Sequence, residues 1–111
     1  MKIAISSNGT NLESKIDPRF GRCNNFVIVE VEDNKIKSDK GVANPGLSRS
    51  GGAGIAAAQF MGNENIEVVI TGKVGPNAYT VLDKIGVKMY HGVGTVKDSI
   101  EQYIQGKLTQ L

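Results

Sequence analysis

Apolar residues along this chain keep two spacings, unbroken or alternating runs in the first third and a helical repeat afterwards, and the change of period divides it into elements. Residues 2–7 carry Ile3, Ala4 and Ile5 in succession and read as a short buried strand, closed by the turn formers Asn8-Gly9-Thr10-Asn11. Asn25 to Glu32 is the strongest β run, with Phe26 and Ile28 on one alternating set and Val27, Val29 and Val31 on the other. Both faces are apolar, which predicts a central strand covered on two sides. Asp33-Asn34 predicts a two-residue hairpin turn into a partner over roughly 35–43. Lys35, Lys37, Asp39 and Lys40 give that partner the charged character of a sheet edge.

After Asn44 the period lengthens. Ala53, Ala56, Ala57, Phe60 and Met61 follow the i, i+3, i+4, i+7, i+8 spacing of one helix face, with Gly62-Asn63 as the expected stop. Ile66 to Ile70 reads as a buried strand. A second helix is predicted from Pro76 or Asn77, with Ala78, Val81, Leu82 and Ile85 on its inner face and Gly86 at its end. Val87 to Tyr90 makes a further strand, and Thr95 with Asp98 three residues on signals the start of a last helix through about Ile104, capped by Gly106. The order is βββαβαβα, an α/β fold with a five-stranded mixed sheet and helices packed on it. Right-handed crossovers make the strands near residues 3, 67 and 88 parallel neighbours. Ligands of such sheets sit beyond the carboxyl ends of the parallel strands, here the 8–23, Thr71–Asn77 and Tyr90–Thr95 loops.

Length and composition narrow the classes. The 111 residues suit one domain spanning 1–111 with one core. No apolar run approaches a membrane span, and the start Met1-Lys2-Ile3-Ala4 has no signal-peptide pattern, so the expected location is cytoplasmic. A net charge of +2 without a basic run gives no ground for a nucleic-acid partner. A single cysteine excludes an internal disulfide and any Cys-x-x-Cys site.

The chemistry concentrates in Asp17-Pro18-Arg19-Phe20-Gly21-Arg22-Cys23, two guanidinium groups and the only thiol beside a turn-forming Asp-Pro. Arginine offers a planar, permanently charged fork of donors, and a neighbouring cation favours the thiolate that binds soft metals. The alternative is a pair of surface arginines, one capping a carbonyl or pairing with Asp17, and a thiol that is a small buried hydrophobe. The Ser50-Gly51-Gly52-Ala53-Gly54 stretch opens the first helix and Gly72-Lys73-Val74-Gly75-Pro76-Asn77 the second, so each brings free backbone amides to an anion. Neither ends as a nucleotide P-loop does. His91, the only histidine, completes no zinc site with one cysteine unless carboxylates, water or another chain contribute.

These segments, with the opening Met-Lys-Ile-Ala strand, Gly52-Ala53-Gly54-Ile55-Ala56-Ala57-Ala58-Gln59 and Val69-Ile70-Thr71-Gly72-Lys73-Val74-Gly75-Pro76-Asn77-Ala78, resemble the dinitrogenase iron–molybdenum cofactor biosynthesis family in order and spacing. That family includes NifX, NafY and the C-terminal domain of NifB, and a small stand-alone branch, the orange proteins, binds a molybdenum–copper sulfide cluster. The resemblance implies a ribonuclease H-like fold and a non-catalytic protein that binds or carries an anionic metal–sulfur cluster containing molybdenum or iron. It implies partners that donate and accept the cluster. The chain is expected as a monomer or weak homodimer, and a dimer would let two Cys23 thiolates share one cluster. The residues implied are Arg19, Arg22, Cys23, Arg49, Gly52, Gly54, Lys73 and Asn77 around the cofactor, with Cys23 and His91 as metal ligands. Many relatives carry histidines in the glycine-rich segment, where this chain has Ser48-Arg49-Ser50, and another where this chain has Arg19. Imidazole ligation from that loop is therefore absent here.

Other classes fit the residues less well or use the same features. A two-metal nuclease needs several carboxylates around its metal pair. Residues 2–7 supply none and the 66–71 segment only Glu67. A small regulatory domain binding a phosphorylated metabolite would use the same helix termini and would be indifferent to the thiol.

Overall fold

The hairpin turn forms where the sequence places it. Asp33 and Asn34 both take left-handed backbone, with φ of 51° and 61°, and join β2 (Asn25–Glu32) to β3 (Lys35–Ala43). This pair of positive φ values makes the turn that matches the natural twist of an antiparallel ribbon. A register shift at Glu30/Val31 leaves Lys37 unpaired, and a bulge of this kind bends the charged edge strand. The computed structural model describes residues 1–111.

β1 (Lys2–Ser7) pairs antiparallel with β2 and parallel with β4 (Val68–Thr71), which in turn pairs parallel with β5 (Lys88–His91). Along the sheet the order is β3-β2-β1-β4-β5-β6. The sixth strand, β6 (Thr109–Gln110), corrects the expected five: it pairs antiparallel with Tyr90 and His91, and the Leu111 amide donates to the Met89 carbonyl at 2.9 Å. Two residues are too short to show a period. The described architecture is thus a mixed six-stranded sheet with three helices.

Each helix ends by the same device. In α1 (Ala53–Asn63) the Ile66 amide donates to Met61 O and the Asn65 amide to Gly62 O, with Asn65 at φ 57°. This 6→1 and 5→2 pairing satisfies carbonyls the helix leaves open, and the accompanying apolar contact is the buried pair Met61 and Ile66. The stop therefore falls at Glu64 and Asn65 rather than at Gly62-Asn63, and the strand expected from Ile66 begins at Val68 because Ile66 belongs to the cap. The same two bonds close α2 (Pro76–Lys84) at Gly86 and α3 (Val96–Ile104) at Gly106.

The sheet separates two apolar layers. On one side Phe20, Phe26, Ile28, Val69 and Met89 meet Ala57, Ala58 and Met61 of α1 and Ala78 and Leu82 of α2. On the other, Ile3, Ile5, Val27, Val29 and Ile70 meet Val96 and Ile100 of α3, together with Ile16 from the loop after β1. The two faces of β2 thus feed both layers, as its pattern predicts. With α1 and α2 on the same side, their N-termini come out together at the carboxyl ends of β1 and β4.

Candidate anion-binding cleft

The three helix starts are not alike. In α3 the Asp98 amide donates to the Thr95 hydroxyl at 3.1 Å, and Asp98 places a negative charge in the first turn. Helices α1 and α2 begin at Gly52 and Gly75, with no side-chain cap and no acidic residue in the first turn. Among the hydrogen bonds of the protein, none uses the amides of Ala53, Gly54, Ile55, Asn77 or Ala78 as donor to a protein acceptor. Helix starts left in this state attract anions through their amides and the helix dipole.

Between these starts lies a cleft of about 300 Å³. Its walls are the α1 start at Gly52–Ile55, the α2 start at Gly75–Ala78, and the turn Phe20-Gly21-Arg22. Close backbone approach makes it narrow. A Cβ on Gly21 would lie 2.9 Å from Gly54 Cα, and one on Gly54 would lie 3.2 Å from Ala78 Cβ. Phe20 is 1% exposed and packs its ring against Phe26 with centroids 5.4 Å apart, so the floor of the cleft is continuous with the core.

A short ladder sets the position of that turn. The Lys73 amide donates to Pro18 O at 2.7 Å and the Phe20 amide to Lys73 O at 3.2 Å. The Asp17-Pro18-Arg19 strap therefore runs beside the end of β4. Asp17, 2% exposed, accepts from the Arg19 amide at 2.9 Å and from the Arg19 guanidinium at 3.1 and 3.0 Å. Hydrogen bonding from Arg19 holds the Asp17 carboxyl below its ordinary value, and the carboxylate raises the guanidinium in turn. Ser6 donates to Asp17 O at 2.6 Å and shares a 2.6 Å hydrogen bond with Thr71, which ties the strap to β1 and β4.

The sequence-predicted residues are only partly brought together. Arg22, Gly52, Gly54 and Asn77 line the cleft. Arg22 is exposed at its rim and donates from Nη1 to the Arg49 carbonyl at 3.2 Å, so Arg49 reaches the site through its backbone. Arg19 on the strap and the exposed Lys73 after β4 lie side by side, outside the cleft wall, and Arg19 is already paired with Asp17. Arg19 thus pairs with Asp17, and Arg22 donates to a backbone carbonyl. His91 lies at the end of β5 with Nδ1 3.1 Å from Gly72 O, away from the cleft lining.

Cys23 requires a correction. Its thiol is 0% exposed, donates to Phe20 O at 3.4 Å, and belongs to the same apolar layer as Phe20 and Phe26. Burial pushes it up to about 12, the opposite of the depression expected from Arg22, because loss of hydration penalises the thiolate more than the nearby hydrogen-bond donors, Asn44 among them, favour it. A thiol so placed does not meet a second copy's thiol across a dimer interface. Native protein at pH 8 is expected to leave Cys23 unlabelled by iodoacetamide over a period that labels it fully in denaturant; equal labelling rates would place the thiol at the surface.

Sequence reasoning missed Asn44. It is 5% exposed, and its Nδ2 donates to Gly21 O at 3.1 Å and Cys23 O at 3.0 Å, with Cys23 Sγ at 3.7 Å. Its Oδ1 accepts from the Gly46 amide at 2.9 Å. Asn44-Pro45-Gly46 carries a turn signature that was legible, but a reach across more than twenty residues was not.

Comparison with known proteins decides the family. The family model described as dinitrogenase iron-molybdenum cofactor matches residues 1–106. The chain belongs to this family. It is similar to the orange protein of Desulfovibrio gigas, whose structure was solved in its apo form, with 32% identity over 99% of this chain and 92% of that one and a TM-score of 0.91. Two uncharacterised proteins of Methanocaldococcus jannaschii are also similar. One is 31% identical over 97% of this chain and 89% of its own length, the other 30% identical over 100% and 94%. Within this dinitrogenase cofactor family member, no three His, Cys, Asp or Glu side chains gather in a group able to hold a metal ion. The donors at the cleft are instead amides and a guanidinium, which suit an anion that carries its own inner ligands. No helix is long and apolar enough to cross a membrane.

Proposed function

We propose that the protein is a non-catalytic carrier that holds a preformed anionic metal–sulfur cluster in the cleft between the α1 and α2 starts, for transfer or storage during cluster assembly. The observation that carries this reading is the convergence of two uncapped, acid-free helix N-termini on one glycine-walled cleft with Arg22 at its rim. A sulfide cluster containing molybdenum, with copper or iron, brings its own sulfur ligands. The protein then supplies directional N–H donors and positive charge, and no set of thiolates. An open rim permits hand-over to an acceptor protein, and a donor protein would load the site by the same route. Arg22 orients the anion, while its bond to Arg49 O keeps the guanidinium beside the amides.

Anaerobic incubation with tetrathiomolybdate and copper(I), followed by gel filtration, metal analysis and a visible spectrum, tests the proposal. The wild type should retain stoichiometric metal, and Arg22→Ala should weaken binding by roughly tenfold, the value of one charge-assisted hydrogen bond to an anion. Absence of retained metal would overturn it. The buried Cys23 thiol favours one second reading, a regulatory domain that binds a phosphorylated metabolite at the same amides, because no soft anchor faces the cleft. Competition by inorganic phosphate at comparable concentration would support that reading.

A further inference from the structure

Two walls of the cleft depend on irregular chain, the Phe20–Cys23 turn and the glycine-rich loop of residues 44–52 that leads into α1. Anion binding by backbone amides and one arginine depends on holding these donors in a fixed relation, since a displacement of about 1 Å degrades aligned hydrogen bonds. We propose that Asn44 is the positioning residue of this cleft, locking the turn that carries Gly21 and Arg22 to the loop that leads into α1. The inference rests on the cleft being the anion site proposed above.

The geometry is specific to Asn44. One amide group satisfies two consecutive-turn carbonyls, Gly21 O and Cys23 O, while the carbonyl oxygen of the same side chain fixes Gly46. Both ends of the group are used, and the backbone amide of Asn44 adds a bond to Asn24 O at 3.1 Å. Gly46 in turn lies directly against the first residue of α1: a Cβ added there would stand 3.0 Å from the Ala53 carbonyl carbon. The path from the side chain to the α1 amides is therefore one residue long on the loop side, and one residue long to Arg22 on the turn side. The only other polar link from a side chain of the turn to the loop is the Arg22 bond to Arg49 O, which an anion competing for the guanidinium would weaken. Asn44 is the buried link that persists when Arg22 turns to the ligand. The Cys23 thiol, bonded to Phe20 O, stiffens the same turn and sits beneath it.

Asn44→Ala and Asn44→Ser remove the two carbonyl bonds without touching the cleft lining. Amide hydrogen exchange on the apo-protein should speed up at Gly46 and in the Phe20–Cys23 turn, while β1 and β4 keep wild-type protection. Affinity for tetrathiomolybdate with copper should fall by roughly tenfold, the scale of one or two misplaced hydrogen bonds. In the Arg22→Ala background the same substitution should cost much less, because the placement of Arg22 no longer matters. A role in stability alone predicts a lowered Tm, equal affinity losses in both backgrounds, and uniformly faster exchange, and this outcome would overturn the inference. Unchanged exchange in folded Asn44→Ser would overturn it too. If the wild type retains no anion at all, the functional reading of the cleft fails, and this is told apart by the exchange measurement, which needs no ligand.

Discussion

Phe20→Ala should lower the stability of the protein by about 3–5 kcal/mol, the largest effect expected from any single side chain near the cleft. Phe20 is 1% exposed, packs against Phe26, and is held at its own backbone by the Lys73 carbonyl and the Cys23 thiol. Truncation would leave a cavity beneath the cleft floor that the surrounding elements cannot close, since β1, β4 and α1 are fixed by their own ladders and caps. Thermal unfolding should show a fall in Tm on the order of 15–25 °C for a domain of this size. A drop below about 5 °C would show that the site collapses around the missing ring, contrary to the packing described. The surviving folded fraction should also bind anion poorly, because the turn bearing Arg22 rests on this ring.

Gly72→Ala comes second, at about 2–3 kcal/mol, and for a different reason. A Cβ at Gly72 would lie 2.7 Å from both Cα and Cβ of Pro18. Neither is the flexible end of a side chain, so relief requires the whole Asp17-Pro18-Arg19 strap to move away from β4. That movement would break the Lys73 to Pro18 and Phe20 to Lys73 hydrogen bonds and pull on the Asp17–Arg19 pair. Chemical denaturation should report the loss as a lower midpoint with little change in slope. A wild-type midpoint would mean that the strap is free to shift, and the ladder would then not be what sets the position of the turn.

These two residues also show how legible the site was. Phe20 and Gly72 both lie in segments that the sequence marks as unusual, yet the marks were assigned to different work. The Arg-Phe-Gly-Arg-Cys segment directed attention to its charges and thiol, whereas the structure gives the anchoring role to the ring and the carbonyls between them. Gly72 belongs to the segment that opens the second helix, and its requirement for no side chain comes from Pro18, more than fifty residues earlier. Cys23 was the clearest departure. Its neighbour Arg22 suggests a lowered pKa, but the turn leaves Arg22 exposed at the surface and buries Cys23 in the core beside it.

The sequence by itself determined every element but the short sixth strand, the order of those elements, and the resemblance to the family. Hydrophobic period, paired positive-φ turn residues and helix caps are local properties, governed by sterics and hydrogen bonding within a few residues, and they placed β1, β2, β3 and α3 at their observed bounds. Tertiary structure alone decided which amides face one cleft, that Asp17 pairs with Arg19, that the Cys23 thiol is buried, and that Asn44 bonds the Phe20–Cys23 turn to the loop before α1. Each depends on distance between residues far apart in the chain, and on whether water reaches them, and neither quantity is written in the order of residues.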